Sequence, residues 1–276
     1  MQRKKTLIKL LTNWQVAVGL IVVLFFVFVA VFAPQLAPHD PLYTNVRVRL
    51  QAPCPEHPLG TDDLGRDMLS RIIFGTRISL TVGFMSLIIG GSVGVLYGII
   101  GGYYGGKLDA IMGRFVDVLL AFPGMLLAIA LVTILGPNTR SVIIAISIFA
   151  VPGFSRIARG GTLSVKKLEY IDAIRALGAS DLRIMIRHIL PNIMSPIIVQ
   201  SAMFVGGAIG TSAALAFLGI GTPPPTPEWG GLLSGGREFL SRAPHITLFP
   251  GIAICMIIIA MNMIGDGLRN ALAPKD

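Results

Sequence analysis

Uncharged runs at Leu10–His39, Ile78–Gly106, Val118–Thr139, His188–Pro227 and Ala243–Gly265 dominate this chain. About 20 apolar residues suffice to carry a helix across the roughly 30 Å hydrocarbon core of a bilayer, so each run is long enough. Inside hydrocarbon every backbone N–H and C=O needs an internal partner, which makes such runs helical. A sixth stretch, Ser141–Ser155, is shorter, but Arg140 and Arg156 at its ends can stretch along the helix to the headgroups. The pattern predicts an all-α integral membrane protein with six transmembrane helices. The first covers 14–36, an extracytoplasmic segment follows at 37–75, and a five-helix core occupies 76–267.

With 53% hydrophobic and only 13% charged residues, the 276-residue chain is excluded from the soluble globular class, and its 32 glycines suit helices that pack closely in lipid. A net charge of +9 would point to nucleic acid in a soluble protein; here membrane lipid accounts for it and no nucleic-acid partner is expected. Placing the N-terminus, residues 1–13, in the cytoplasm puts fifteen of the 23 lysines and arginines on the inner side, in keeping with the positive-inside rule. The segment 157–190 and the tail 268–276 are then cytoplasmic, and 220–245 is extracytoplasmic. The basic start and the apolar stretch after it resemble a signal peptide, but the 30-residue uncharged run from Leu10 exceeds a signal core, so it is read as a retained anchor.

Between two apolar spans lies a charged, amphipathic stretch. Ile171, Ile174 and Leu177 recur every three residues on one helix face, and Glu169, Asp172 and Arg175 recur on another. Gly178 supplies a break, and Ser180 can cap a second helix carrying Arg183 and Arg187 ahead of Pro191. A helix, a turn and a helix in water beside a bilayer form a docking surface for a soluble partner.

The segment Asp172-Ala-Ile-Arg-Ala-Leu-Gly178, followed by His188-Ile-Leu-Pro191, is similar to the EAA loop of binding-protein-dependent ABC importer permeases. Three further segments narrow the resemblance: His57-Pro-Leu-Gly-Thr-Asp-Asp-Leu-Gly-Arg-Asp67, Pro227-Glu-Trp-Gly230 and Gly265-Asp-Gly-Leu-Arg269. Together they resemble the C-type permease subunit of dipeptide, oligopeptide and nickel-chelate importers. That resemblance implies a type I ABC importer permease fold and a chain that forms half of a translocation pathway. It also implies four partners: a second, B-type permease, two ABC ATPase subunits and an extracytoplasmic solute-binding protein. ATP and Mg would be used by the ATPases, with no cofactor bound by this chain, and the location would be a bacterial or archaeal cytoplasmic membrane. Dipeptides or oligopeptides are the first expectation for the solute; nickel chelates and glutathione are the alternatives. The docking residues carried over are Glu169, Asp172, Ala173, Arg175, Gly178, Arg183 and Pro191. Departures are Asp172-Ala-Ile in place of Glu-Ala-Ala, His188 in place of isoleucine, and a tail reading Asn270-Ala-Leu-Ala-Pro in place of Asp-Ala-Leu-Asp-Pro.

Other candidates are individual residues. Asp117, three residues after Arg114, is an ionisable group at the start of a span, which suggests either function or an interfacial i,i+3 pair. Glu228 and Trp229 follow the helix-stopping run Gly219–Pro227 and are candidates for the outer mouth of the pathway or for contact with the binding protein, with an interfacial tryptophan anchor as the alternative. Cys54 and His57, with His39 and Asp40 nearby in sequence, offer too few ligands to predict a metal site. Gly101-Gly-Tyr-Tyr-Gly-Gly-Lys107 matches half of a phosphate-binding loop, but Leu108 stands where Ser or Thr should hold magnesium, and no strand precedes it. No catalytic constellation is present, so the chain reads as a transport subunit and not an enzyme. A self-sufficient secondary transporter is the rival class; it predicts coupling-ion residues or an inverted repeat, and the sequence displays neither.

Overall fold

The computed structural model describes residues 13–272. The expected cytoplasmic start therefore lies outside the described residues except for Asn13, as does the end of the tail from 273. Helix α1, Trp14–Val31, is capped by the Asn13 side chain, which accepts from the Gln15 N–H. Its outward face carries Ile21, Leu24, Phe25 and Phe28, all exposed, as suits a helix bathed in lipid. A loop segment leads to α2, Met68–Tyr104, one continuous helix that includes a π turn at Leu87–Gly91.

The third expected span is where the structure departs from the sequence reading. Instead of one helix over Val118–Thr139 there are two, α3 at Gly106–Ala121 and α4 at Gly124–Leu135, bent by 88°. The cause is local: Phe122 is extended (φ −89°, ψ 132°), as the residue before a proline prefers, and Pro123 has no N–H to continue the ladder. Counted as one span, the bent pair brings the candidate membrane spans to six.

Helix α5, Thr139–Lys166, is longer than the uncharged stretch that announced it, because it runs on through Arg156 and Arg159. At about 1.5 Å per residue its 28 residues reach well beyond the hydrocarbon thickness. The short helix α6, Glu169–Ala176, leads to α7, Asp181–Phe217, which passes through Pro191 without stopping. A π turn at Met185–Ile189 takes up the backbone mismatch that the missing proline donor would otherwise create. Helices α8, Trp229–Gly235, and α9, His245–Leu272, complete the order. No strand occurs among the described residues, only an isolated bridge between Thr61 and Asp67.

Helices α1, α2, α7 and α9 bury Phe26, Leu80, Val205, Ile209 and Ile257 in a common core. A second core, with Phe154, Ile171, Ile184 and Ile189, lies at one end beneath α6. Long-range contacts sort the loops onto two ends. Asn13 meets Gly267 and Tyr103 meets Asp181 at one; Thr139 meets Thr222 and Thr61 meets His245 at the other.

Candidate functional site

The docking candidate is built from the chain turning on itself after α5. Lys167 and Leu168 leave the helix, α6 forms, and the backbone then reverses at Gly178 (φ +83°). The Gly178 N–H donates to the Arg175 carbonyl and the Ala179 N–H to the Ile174 carbonyl, a paired closure that needs a left-handed residue at its centre. Nothing lies within 4 Å of a Cβ built there, so the glycine is required for its backbone angle and not for space. Ser180 Oγ accepts from the Arg183 N–H and starts α7, as its position in the sequence suggests.

Glu169, Asp172, Ala173, Arg175, Gly178, Arg183 and Pro191 are all exposed on this end. The apolar face of α6 does not stand free for a partner: Ile171 is fully buried and Ile174 packs beside it, both against this chain's own second core. Burying such a side chain is worth about 1.5–3 kcal/mol, enough to hold α6 down on the bundle. Leu177, 87% exposed, remains as an apolar contact for another molecule, with Leu182 and Ile186 also exposed beyond the turn. Asp172 Oδ1 accepts from Arg175 Nη1 at 3.0 Å, an exposed, water-screened pair that a partner can easily open.

Tyr103, in the segment that imitates a phosphate loop, was invisible to sequence reasoning and ties the site together. Its hydroxyl donates to Asp181 Oδ1 at 2.6 Å and accepts from Arg175 Nη2 at 3.4 Å. Its carbonyl accepts from Lys166 Nζ, and the Lys166 and Arg175 cations sit 5.5 and 5.9 Å from its ring centre. The ends of α2 and α5, helix α6 and the start of α7 thus meet at one buried ring. The signal that could have found it is the pairing of a tyrosine at a span's end with basic and acidic residues flanking the loop, but its partner Asp181 is 78 residues away.

Asp117 is exposed on α3 and pairs with Arg156 of α5 at 3.1 Å, not with Arg114 one turn earlier. One turn further along α5, Arg159 grips Asp109 with two nitrogens, at 2.5 and 2.6 Å. These pairs line a cavity of about 450 Å³ on the same end as the loop. His188 is half-buried, its ring 6.3 Å from that of Tyr170.

At the opposite end Glu228 and Trp229 are enclosed within this chain, 2% and 0% exposed. Glu228 caps α8 by accepting from the Gly231 N–H at 2.9 Å, and burial pushes its carboxyl above the usual carboxylate range. Trp229 Nε1 donates to the Ile72 carbonyl at 3.1 Å while its ring meets Phe26 edge-on at 5.3 Å, joining α1, α2 and α8. The preceding run does border a cavity, of about 440 Å³, through Thr222, Pro223, Pro224 and Thr226. Facing them are Asp62 and Arg66 of the loop before α2 and Arg71 in its first turn. There Asp62 Oδ2 accepts from Arg66 Nε at 2.6 Å and lies 3.4 Å from Arg71 Nε.

A bundle of six candidate spans, with an exposed helix-turn-helix rooted in the ends of three of them, is a membrane component of a transport system. Residues 94–275 match the family described as binding-protein-dependent transport system inner membrane component, and residues 2–53 match the N-terminal transmembrane domain of oligopeptide transport permease C. The chain belongs to the binding-protein-dependent transport inner membrane component family, and is a C-type permease of it. It is 48% identical over 258 residues to a dipeptide transport system permease protein of Alkalihalophilus pseudofirmus, covering 94% of this chain and 85% of that one. It is 46% identical over 261 residues to a glutathione transport system permease protein of Pectobacterium atrosepticum, covering 94% and 86%. The inward-facing MetNI methionine ABC transporter superposes with a TM-score of 0.57 at 19% identity, covering 75% of this chain and 98% of that one, a likeness of fold.

Proposed function

We propose that this chain is one of two non-identical permease subunits in an ATP-driven importer of dipeptides or oligopeptides in a bacterial or archaeal cytoplasmic membrane. A soluble ATPase docks on the end that carries α6, and a solute-binding protein delivers its cargo at the other end. Hydrolysis and the accompanying magnesium belong to the ATPases, with no cofactor held here. The observation that carries this reading is the junction at Tyr103: a push on α6 or on the Gly178 turn is passed to α2, α5 and α7 together, which move as packed, near-rigid bodies. The relative named for glutathione, itself a small peptide, keeps that solute in view within the same class.

Two substitutions test the docking role, measured as solute uptake alongside co-purification of the ATPases. Gly178→Val puts a β-branched residue at φ +83° with a strain of about 1–3 kcal/mol, and Asp172→Arg reverses an exposed charge. Both should reach the membrane at normal levels and lose most uptake, with the ATPases bound weakly or hydrolysing idly. Parental uptake by both variants, with ATPases still bound, would reduce the loop to a connector.

A further inference from the structure

We propose that His39, His57 and Asp67 form a binding site for a zinc-type divalent transition-metal ion at the end of the bundle opposite the docking loop. The three come from separate segments. His39 follows the turn Ala33–Leu36 after α1, His57 sits in the long connection, and Asp67 is the N-cap of α2. One donor atom from each lies within 4.8 Å of the other two. His57 Nδ1 is 2.9 Å and His39 Nδ1 3.8 Å from Asp67 Oδ1. Tetrahedral bonds of about 2.0–2.1 Å set neighbouring donor atoms roughly 3.3 Å apart, midway between those distances, so small side-chain rotations close the site.

Two features favour an ion over a purely internal hydrogen-bond network. The Nδ1 of His39 is buried and has no hydrogen-bond partner among the described residues, since 3.8 Å to Asp67 is too long. A polar atom buried in that state is costly, and an ion at the centre of the three groups would satisfy it. The second feature is support: Asp67 Oδ2 accepts from both the N–H and the hydroxyl of Ser70, at 2.8 and 2.7 Å, which orients the carboxylate and turns Oδ1 toward the two histidines. Access is through His39, whose side chain is 35% exposed and borders a cavity of about 620 Å³, where a water could complete the coordination.

Two imidazoles and one carboxylate suit zinc and its neighbours and not calcium or magnesium, which prefer all-oxygen shells. Binding through His57 Nδ1 uses the tautomer with its proton on Nε2: Nε2 takes up a proton from water as Nδ1 gives one up, and the freed Nδ1 lone pair turns to the metal. Cys54 is not among the three, and its sulfur accepts from the His57 backbone N–H and from Gln51 Nε2, each at 3.4 Å. The third ligand that sequence reasoning lacked was Asp67, which reads as a helix cap. Bound metal would pin the chain after α1 to the head of α2.

The test uses the purified full-length chain, without a histidine tag, stripped with chelator and titrated with zinc. One zinc per chain is expected by elemental analysis, visible ligand-field absorption on cobalt substitution, and a rise in melting temperature with zinc but not magnesium. His39→Gln, which leaves the His57–Asp67 contact intact, should weaken zinc binding at least tenfold and abolish the thermal shift. His188→Gln should change neither. Equal binding by parent and His39→Gln, or no zinc retained by the parent, overturns the site.

Discussion

Tyr103 gathers four pieces of chain at one side chain through three different chemistries: a hydroxyl, a ring face and a backbone carbonyl. Phenylalanine would keep the ring and the carbonyl contact and remove only the hydroxyl. Because the Asp181 side chain is at an exposed position and can turn to water, Tyr103→Phe should cost only about 0.5–1.5 kcal/mol of stability. In the assembled transporter we expect more ATP hydrolysed per solute moved; an unchanged ratio, measured in proteoliposomes, would remove Tyr103 from the coupling route. At this scale the sequence was only half legible. Gly178 and Ser180 announce their backbone roles, since turn and cap chemistry is local. The inward turn of Ile171, Glu228 and Trp229 is not local: a helix face can be recognised as apolar without knowing whether it meets its own chain or another.

Among the elements, α2 and α5 make the closest union. Gly90, Gly94, Gly98 and Gly102 recur every four residues on α2 and meet Ala150, Phe154, Ala158 and Thr162 of α5. A Cβ on Gly98 would stand 2.9 Å from the Ala158 Cβ and closer still to the Ser155 carbonyl. Backbones that approach this tightly leave no room for side chains, the device by which membrane helices gain dispersion contact without hydrophobic drive. Gly98→Leu should therefore destabilise by upwards of about 1–3 kcal/mol and lower the membrane level, as read by thermal unfolding of the purified chain. Gly113→Ala, where a Cβ meets nothing within 4 Å, should be silent, and equal behaviour of the two would contradict the packing described. The four-residue glycine period was open to reading in the sequence. The π turns at Leu87–Gly91 and Met185–Ile189 were not, because a single wide turn changes no periodicity that composition displays.

For the whole molecule, the apolar runs located the six candidate spans, of which the third is broken at Pro123 while Pro152, Pro196 and Pro250 leave their helices unbroken. The ends of the spans were less legible, since α5 carries Arg156 and Arg159 beyond its uncharged part by pairing them with Asp117 and Asp109. Orientation can be checked with single cysteines at Glu238 and Asp172, both exposed, in a background lacking Cys54 and Cys255. An impermeant thiol reagent applied to intact cells should label position 238 and spare 172; the reverse pattern would invert the protein in its membrane. The break at Pro123 bears on how the chain sits in lipid. Helix α4, with 12 residues, extends about 18 Å, well short of the hydrocarbon thickness, while α3 beside it carries Lys107, Asp109, Arg114 and Asp117. Neither half would partition into lipid alone. Ala128 and Val132 of α4 are buried against Val142, Ala145 and Ile146 of α5, across a connection of Gly136, Pro137 and Asn138. The contact with α5 thus supplies the burial that a helix of this length cannot find in lipid by itself.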